Sequence, residues 1–331
     1  MIPYTERDTD LNFSPPYRIT GVEALSAVRK INTRQAQRWV DETLNWRPPG
    51  EEPRPEFTAL PIAFIIFMHM KSMCSVNPPY DTWGAVYETE MVVTLPVLEW
   101  DNKGLPSLPS LKFYPIVLCL DSCPALISGR EVFGFPKIMG QVEMGPDGGV
   151  VRTEVCRREG EASTHRNELL LSLKREQAKG PATTPDSYAK GLAEMVKDEL
   201  LGEIDGGVLG HLLNLNPARK ALNFGLGGVV DLFEGLEVGQ KFVFLKQFRD
   251  VENPRLACHR SVAECMLEFS GLQSMSRESG DWELEVPEWR SSSLLKRIGV
   301  DSGPIGAPLR SEFQIDMSLG KTLWTLSLIH I

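Results

Sequence analysis

Gly129-Arg130-Glu131-Val132-Phe133-Gly134-Phe135-Pro136-Lys137 places one lysine among aromatic and apolar neighbours, immediately after a proline. Ile138 and Met139 follow it, and Gly134 with Pro136 restricts the local backbone. Desolvation disfavours an ammonium relative to the free amine. A free amine attacks a ketone and forms a Schiff base, the first step of covalent carbonyl catalysis. The same residues admit a structural reading, in which the lysine stem packs on aromatics at a strand end and its head reaches water. Residue chemistry by itself leaves both readings open.

On either side of this stretch the pattern is one of strands. Residues 60–70, 86–97 and 112–120 precede it, and residues 91–95 are nearly all apolar, as in a strand buried on both faces. Residues 101–109 read as a turn region. After Lys137, residues 141–144 and 150–157 read as a hairpin across Pro146-Asp147-Gly148-Gly149. Further strands are predicted at 241–248, 256–261, 264–269, 282–286, 313–317 and 322–328. Helical spacing is read over 21–45, from Val22, Leu25, Val28, Ile31, Trp39, Val40 and Leu44, and again over 188–201. A short helix is predicted at 292–298. Residues 1–20 form a polar, proline-rich arm expected to be ordered by docking, and 47–55 a proline-rich connector. With no internal repeat and many non-local strands, the fold class is α+β and mainly antiparallel β: a barrel-like core with peripheral helices.

Composition narrows the function. The chain has 331 residues, 42% hydrophobic and 24% charged, which suits a soluble globular protein with a sizeable core. A net charge of −9 argues against a nucleic-acid partner or an anionic membrane surface. The longest apolar run, 60–70, falls short of the roughly 20 residues needed to span a bilayer. Met1-Ile2-Pro3-Tyr4-Thr5-Glu6-Arg7-Asp8 lacks the pattern of a secretory signal. Cys74, Cys119, Cys123, Cys156, Cys258 and Cys265 form no Cys-x-x-Cys pair, so free thiols in a reducing, cytoplasmic setting are expected and zinc is not indicated.

Rival motifs are weaker. Gly225-Leu226-Gly227-Gly228 lacks the full Gly-x-Gly-x-x-Gly pattern and a preceding strand, and reads as a structural turn. No Gly-x-Ser-x-Gly elbow exists. Cys258 and His259 are adjacent on a predicted strand and so point to opposite faces. His69 reads as a core histidine, and the carboxylates of 186–203 as a solvated helix face. Glu88 and Glu90 share one strand face, which is either a charged edge or part of a cavity.

Gly129 to Lys137 resembles the active-site signature of the acetoacetate decarboxylase family, whose enzyme is the established example of a lysine nucleophile activated by desolvation or a neighbouring cation. The resemblance implies the acetoacetate-decarboxylase-like barrel as one domain over residues 1–331, with an insertion at about 157–224 and Lys137 as Schiff-base nucleophile. Tyr87-Glu88-Thr89-Glu90 before Leu95-Pro96-Val97 resembles the strand carrying an active-site glutamate. Its spacing points to Glu90 in the cavity, for positioning and proton transfer, with Glu88 nearer the rim. Leu118-Cys119-Leu120-Asp121 with Pro124-Ala125, Phe244 through Asp250, and Pro254-Arg255-Leu256 resemble further family strands and turns.

Three departures alter the expected pocket. Ile138 stands where many members have a second lysine, Val22 where an arginine aligns, and Ile65 where a second glutamate aligns. With Phe133 and Phe135 they would line a less polar cavity, while Arg130 and Glu131 make supporting contacts. The implied activity is a cofactor-independent, metal-free carbon–carbon lyase that decarboxylates a β-keto acid bulkier than acetoacetate, in specialised metabolism. The alternatives are imine-dependent aldol, dehydratase or cyclase chemistry on a polyketide-like keto substrate, and an apolar binding protein without covalent chemistry. The resemblance also implies a homo-oligomer.

Overall fold

β-branched and aromatic residues that are apolar on both faces build long strands here, because both faces of those strands have something to bury against. The computed structural model describes residues 5, 12–48, 55–100, 109–155, 166–201, 233, 239–288 and 292–327. Its strands are β1 (Tyr17–Lys30), β2 (Glu56–Ala59), β3 (Ile62–Ser75), β4 (Val86–Trp100), β5 (Ser110–Leu120), β6 (Lys137–Gly145), β7 (Gly148–Val155), β8 (Arg166–Gln177), β9 (Gly239–Arg249), β10 (Ala257–Arg277), β11 (Asp281–Glu285), β12 (Gly303–Ile305), β13 (Leu309–Met317) and β14 (Lys321–Ser327). The helices are α1 (Thr33–Thr43), α2 (Cys123–Ser128), α3 (Tyr188–Leu201) and α4 (Ser293–Arg297).

The sheet order runs β12-β11-β8-β7-β6-β5-β9-β10-β13-β1-β3-β4-β2, and an additional β4–β5 pairing closes β5, β9, β10, β13, β1, β3 and β4 into a ring. Pairing is antiparallel except at β5–β6 and β5–β9. The interior of the ring is apolar. Phe64, Phe113, Phe233 and Phe242 pack there with ring centroids 5.6–6.3 Å apart, each buried aromatic contributing roughly 1.5–3 kcal/mol. Leu192, Ala193 and Val196 of α3 join the same cluster. The arm from β6 to β12 packs on the outer face, where Ile65 and Phe67 meet Val142, Val151 and Leu171. Gly149 is required at that contact, since a Cβ there would stand 2.5 Å from the Phe67 ring.

The helix predicted over 21–45 is corrected. Residues 21–30 belong to β1, and only Thr33–Thr43 is helical. The β1 register shifts between Ile19 and Val22, at Gly21 with φ +61°. Beyond this bulge Leu25 and Ala27 bury outward, while Ala24 and Val28 bury inward. A strand apolar on both faces with a bulge repeats its apolar residues at intervals that mimic a helix. α1 then starts at Asn32, whose side chain accepts hydrogen bonds from the N–H groups of Arg34 and Gln35 at 3.1 and 3.2 Å.

The two strands expected at 256–261 and 264–269 are one, β10, because no turn residue separates them and Val262 pairs with both Leu245 and Trp324. Within the segment expected as an insertion, β8 lies between β7 and β11. The turn residues 101–108, Cys156 and Gly225 to Gly228 lie outside the described residues. Among the described residues no helix is long and apolar enough to cross a membrane. The described cysteines, Cys74, Cys119, Cys123, Cys258 and Cys265, are free thiols.

Candidate active site

The signature turn forms the site by local backbone chemistry. Asp121, after β5, accepts a hydrogen bond from the Thr89 N–H at 2.8 Å, tying the turn to β4. α2 then relaxes into one wider turn over Gly129–Phe133, in which the Gly129 carbonyl accepts from Gly134 and Phe135, both at 3.0 Å. Gly134 has φ +89°, and a Cβ there would stand 2.6 Å from the Lys246 backbone, so only glycine is accommodated. The Leu118 N–H donates to the Pro136 carbonyl at 3.3 Å, which lays β6 parallel to β5 with Lys137 opposite Leu118. Arg130 Nη1 donates to the Lys137 carbonyl at 3.1 Å. Gly129 leaves the lysine stem its space, since a Cβ at that position would lie 2.7 Å from Lys137 Cδ.

Lys137 is 6% exposed, and its Nζ lies 3.6 Å from Glu90 Oε2 and 3.8 Å from Glu88 Oε2. Glu88 and Glu90 are 3% and 5% exposed, and among the described residues the same two oxygens have no hydrogen-bond partner. Burial pushes the Glu88 carboxyl up to about 7; Lys137 works against that shift, and Glu90 and Asp121 add to it. Burial also raises Glu90, again against Lys137. The Glu88 carboxyl, raised this far, exchanges protons near neutral pH.

These groups open into a cavity of about 90 Å³ inside the ring, roughly six to nine times the 10–15 Å³ that one water occupies. Its walls are mainly apolar, with Met68, Met70, Phe269, Phe313 and Met317 among them. Phe133 and Phe135 line it as well, their tilted rings 5.4 Å apart and braced by Phe244. Among the described residues no arginine lines it. Arg130 is exposed outside, and Glu131 accepts from Asn12 at 3.3 Å. Among the described residues no group of three or more His, Cys, Asp or Glu is placed to hold a metal.

Val22, Ile65 and Ile138 are not in the cavity wall. Val22 packs inside the ring behind the cavity, opposite Phe313 and Met70. Ile65 faces outward toward the second sheet layer. Ile138 follows Lys137 on β6, so its side chain takes the opposite face, where it lines a separate groove with Trp39 and Tyr114. Glu88, expected nearer the rim, is as deeply buried as Glu90. Its spacing two residues from Glu90 on one strand carried that signal.

A sequence model of the family described as acetoacetate decarboxylase (ADC) matches residues 1–181. The chain belongs to the acetoacetate decarboxylase family. No curated protein matches it in sequence. Among solved structures, an acetoacetate decarboxylase from Legionella pneumophila is similar with a TM-score of 0.58 at 14% identity, over 97% of this chain and 92% of its own. Another acetoacetate decarboxylase gives 0.51 at 14%, over 95% and 92%. The enduracididine biosynthesis enzyme MppR, complexed with the condensation product of pyruvate and imidazole 4-carboxaldehyde, gives 0.50 at 11%, over 96% and 92%. At these identities the likeness shows the fold alone, over 95–97% of this chain.

Proposed function

We propose that the protein is a lysine Schiff-base lyase that decarboxylates a β-keto acid with an apolar tail. The observation that carries this reading is Lys137: its amine is buried in an apolar cavity, within 4 Å of two carboxyls that burial has raised. The Lys137 ammonium first loses a proton, and Glu88 or Glu90 is within reach to take it. The free amine attacks the ketone and a C–N bond forms; the carboxyl that took the ammonium proton returns it to the former carbonyl oxygen, which leaves as water and gives an iminium ion. The bond between the α-carbon and the carboxylate then breaks. Its electron pair moves toward the iminium nitrogen, and carbon dioxide departs. The α-carbon of the enamine takes a proton from Glu90 or Glu88, and water hydrolyses the iminium to release the ketone and the amine. The apolar walls favour the charge-dispersed transition state over the localised carboxylate.

A second reading keeps the imine and directs the enamine into condensation or dehydration. The absence of a lining arginine among the described residues favours it, because no cation besides Lys137 greets a substrate carboxylate. The condensation product held by MppR is compatible with such chemistry on this fold. Intact-protein mass spectrometry after incubation with β-keto acids and borohydride tests the shared step. A mass gain mapped to Lys137 and absent from Lys137→Met is the expected result. No adduct across a panel that includes bulky apolar ketones overturns the covalent reading. Carbon dioxide release then separates decarboxylation from condensation.

A further inference from the structure

Lys137 is the one cation in the cavity wall among the described residues, and it faces two carboxyls. The wall's other polar residues are Tyr17, Ser128, Tyr188 and Gln240, all uncharged. Glu90 Oε2 and Glu88 Oε2 lie 3.6 and 3.8 Å from Lys137 Nζ, and neither has a hydrogen-bond partner among the described residues. Asp121, after β5, is a third acid close enough to raise both. On β3, Met68 and Met70 stand opposite the pair, while His69 takes the other face and meets Thr89 at 3.2 Å. Two carboxylates buried beside a single ammonium leave one charge uncompensated, so the pair holds one proton between them. Buried carboxyl oxygens without a protein partner are costly, and an O–H among them is complemented by an acceptor on a ligand.

A keto acid brings that acceptor to the same place. In the iminium of a β-keto acid the carboxyl carbon is three bonds from the lysine nitrogen, no more than about 4 Å at bond lengths of about 1.3–1.5 Å. The two glutamate oxygens lie as close to that nitrogen. With both glutamates ionised, three anions would crowd around one cation in a low-dielectric cavity. With one proton on the pair, an O–H donates to the substrate carboxylate in a short, charge-assisted hydrogen bond.

We propose that Glu88 and Glu90 are a proton-sharing pair that binds the substrate carboxylate through its O–H and so sets the specificity of the cavity. The proposal rests on the imine-forming reading and names its substrate class: keto acids whose carboxylate lies two carbons from the carbonyl. Recognition is thereby tied to pH. Burial raises the Glu88 carboxyl from 4.5 to about 7. The pair keeps its proton below about 7 and loses it as pH rises through that value, turning from a donor into two charges that repel an anion.

The test pairs a straight-chain methyl ketone with the 2-oxoalkanesulfonate of the same chain, whose sulfonate takes the place of the carboxylate and does not leave. The readout is the ratio of their borohydride labelling rates at Lys137, in which a general change in amine reactivity cancels. Calorimetric affinity without borohydride is the second measurement. At about pH 6 the parent's preference for the sulfonate is expected to exceed that of Glu88→Leu by roughly ten- to a hundredfold. By about pH 8 it should fall to the level of Glu88→Leu or below. Glu88→Gln keeps an N–H donor that does not ionise, so it should match the parent at the lower pH and hold its preference at the higher. The proposal is overturned if Glu88→Leu, shown to be folded by near-UV circular dichroism, keeps or increases the preference, an increase meaning that the pair repels anions. It is equally overturned if the parent's preference does not fall with pH, or if Glu88→Gln falls as steeply as the parent. Should neither probe label Lys137 while calorimetry shows a sulfonate preference that Glu88→Leu abolishes, the imine reading falls and the role of the pair stands.

Discussion

Gly129→Ala isolates the positioning of the lysine from the stability of the fold. Gly129 has φ −64° and ψ −38°, which any residue adopts. On backbone grounds alanine there is favoured over glycine by up to about 1 kcal/mol. The new methyl would nevertheless stand 2.7 Å from Lys137 Cδ and 2.8 Å from Cε. The stem must retreat by about 0.7 Å, the difference between that separation and the 3.4 Å at which ordinary contact begins. A flexible lysine stem yields cheaply, so the unfolding free energy should stay within about 1 kcal/mol of the parent. The amine does not escape the displacement. Misplacing a reacting group by about 1 Å costs on the order of a hundredfold in rate, and a loss approaching that is expected in the rate of borohydride labelling. Urea denaturation and timed mass spectrometry on the same preparation provide both numbers. Labelling at the parental rate would refute the claim that Gly129 sets the position of the amine, and a large fall in stability would refute the claim that the stem yields.

Three further outcomes follow from the same geometry. Burial raises the folded Glu88 carboxyl from 4.5 to about 7, so its contribution to stability is complete below about pH 4.5 and is lost as pH rises through about 7. The loss is on the order of 3 kcal/mol; urea titrations across that window should show the decline flattened in Glu88→Gln, and an unaltered slope would contradict the assignment. Lys112 is 2% exposed and pairs with Glu99 at 2.8 Å and with Glu264, so Lys112→Met should cost about 3–5 kcal/mol by removing the buried cation between two carboxylates, of which Glu264 keeps only the exposed Lys321 at 3.9 Å, and a neutral effect on urea unfolding would count against that role. Glu90→Gln should keep the borohydride adduct at Lys137 yet slow deuterium exchange at the ketone α-carbon by roughly 10²–10⁴-fold; parental exchange would remove Glu90 from proton transfer.

Residues 129–137 were legible because their conformation depends on near neighbours. Gly134 adopts its left-handed turn, Pro136 precedes the strand, and Lys137 follows, all within one stretch of covalent chain. The long apolar runs of β3, β4 and β5 were legible for the same reason: their composition admits only burial on both faces. The spacing of Glu88 and Glu90 likewise revealed that they share a face. Which face was a matter of tertiary structure, because inward and outward are decided by register, and register is set by strands distant in sequence. The bulge at Gly21 shifts the phase of β1, turning a strand into an apparent helix. Ile65 and Ile138 looked like cavity residues in the sequence, yet a one-residue alternation sends both outward. Gln240 carried no local signal at all; it faces the cavity only because β9 meets β5 at Phe113 and Phe242 and so completes the ring.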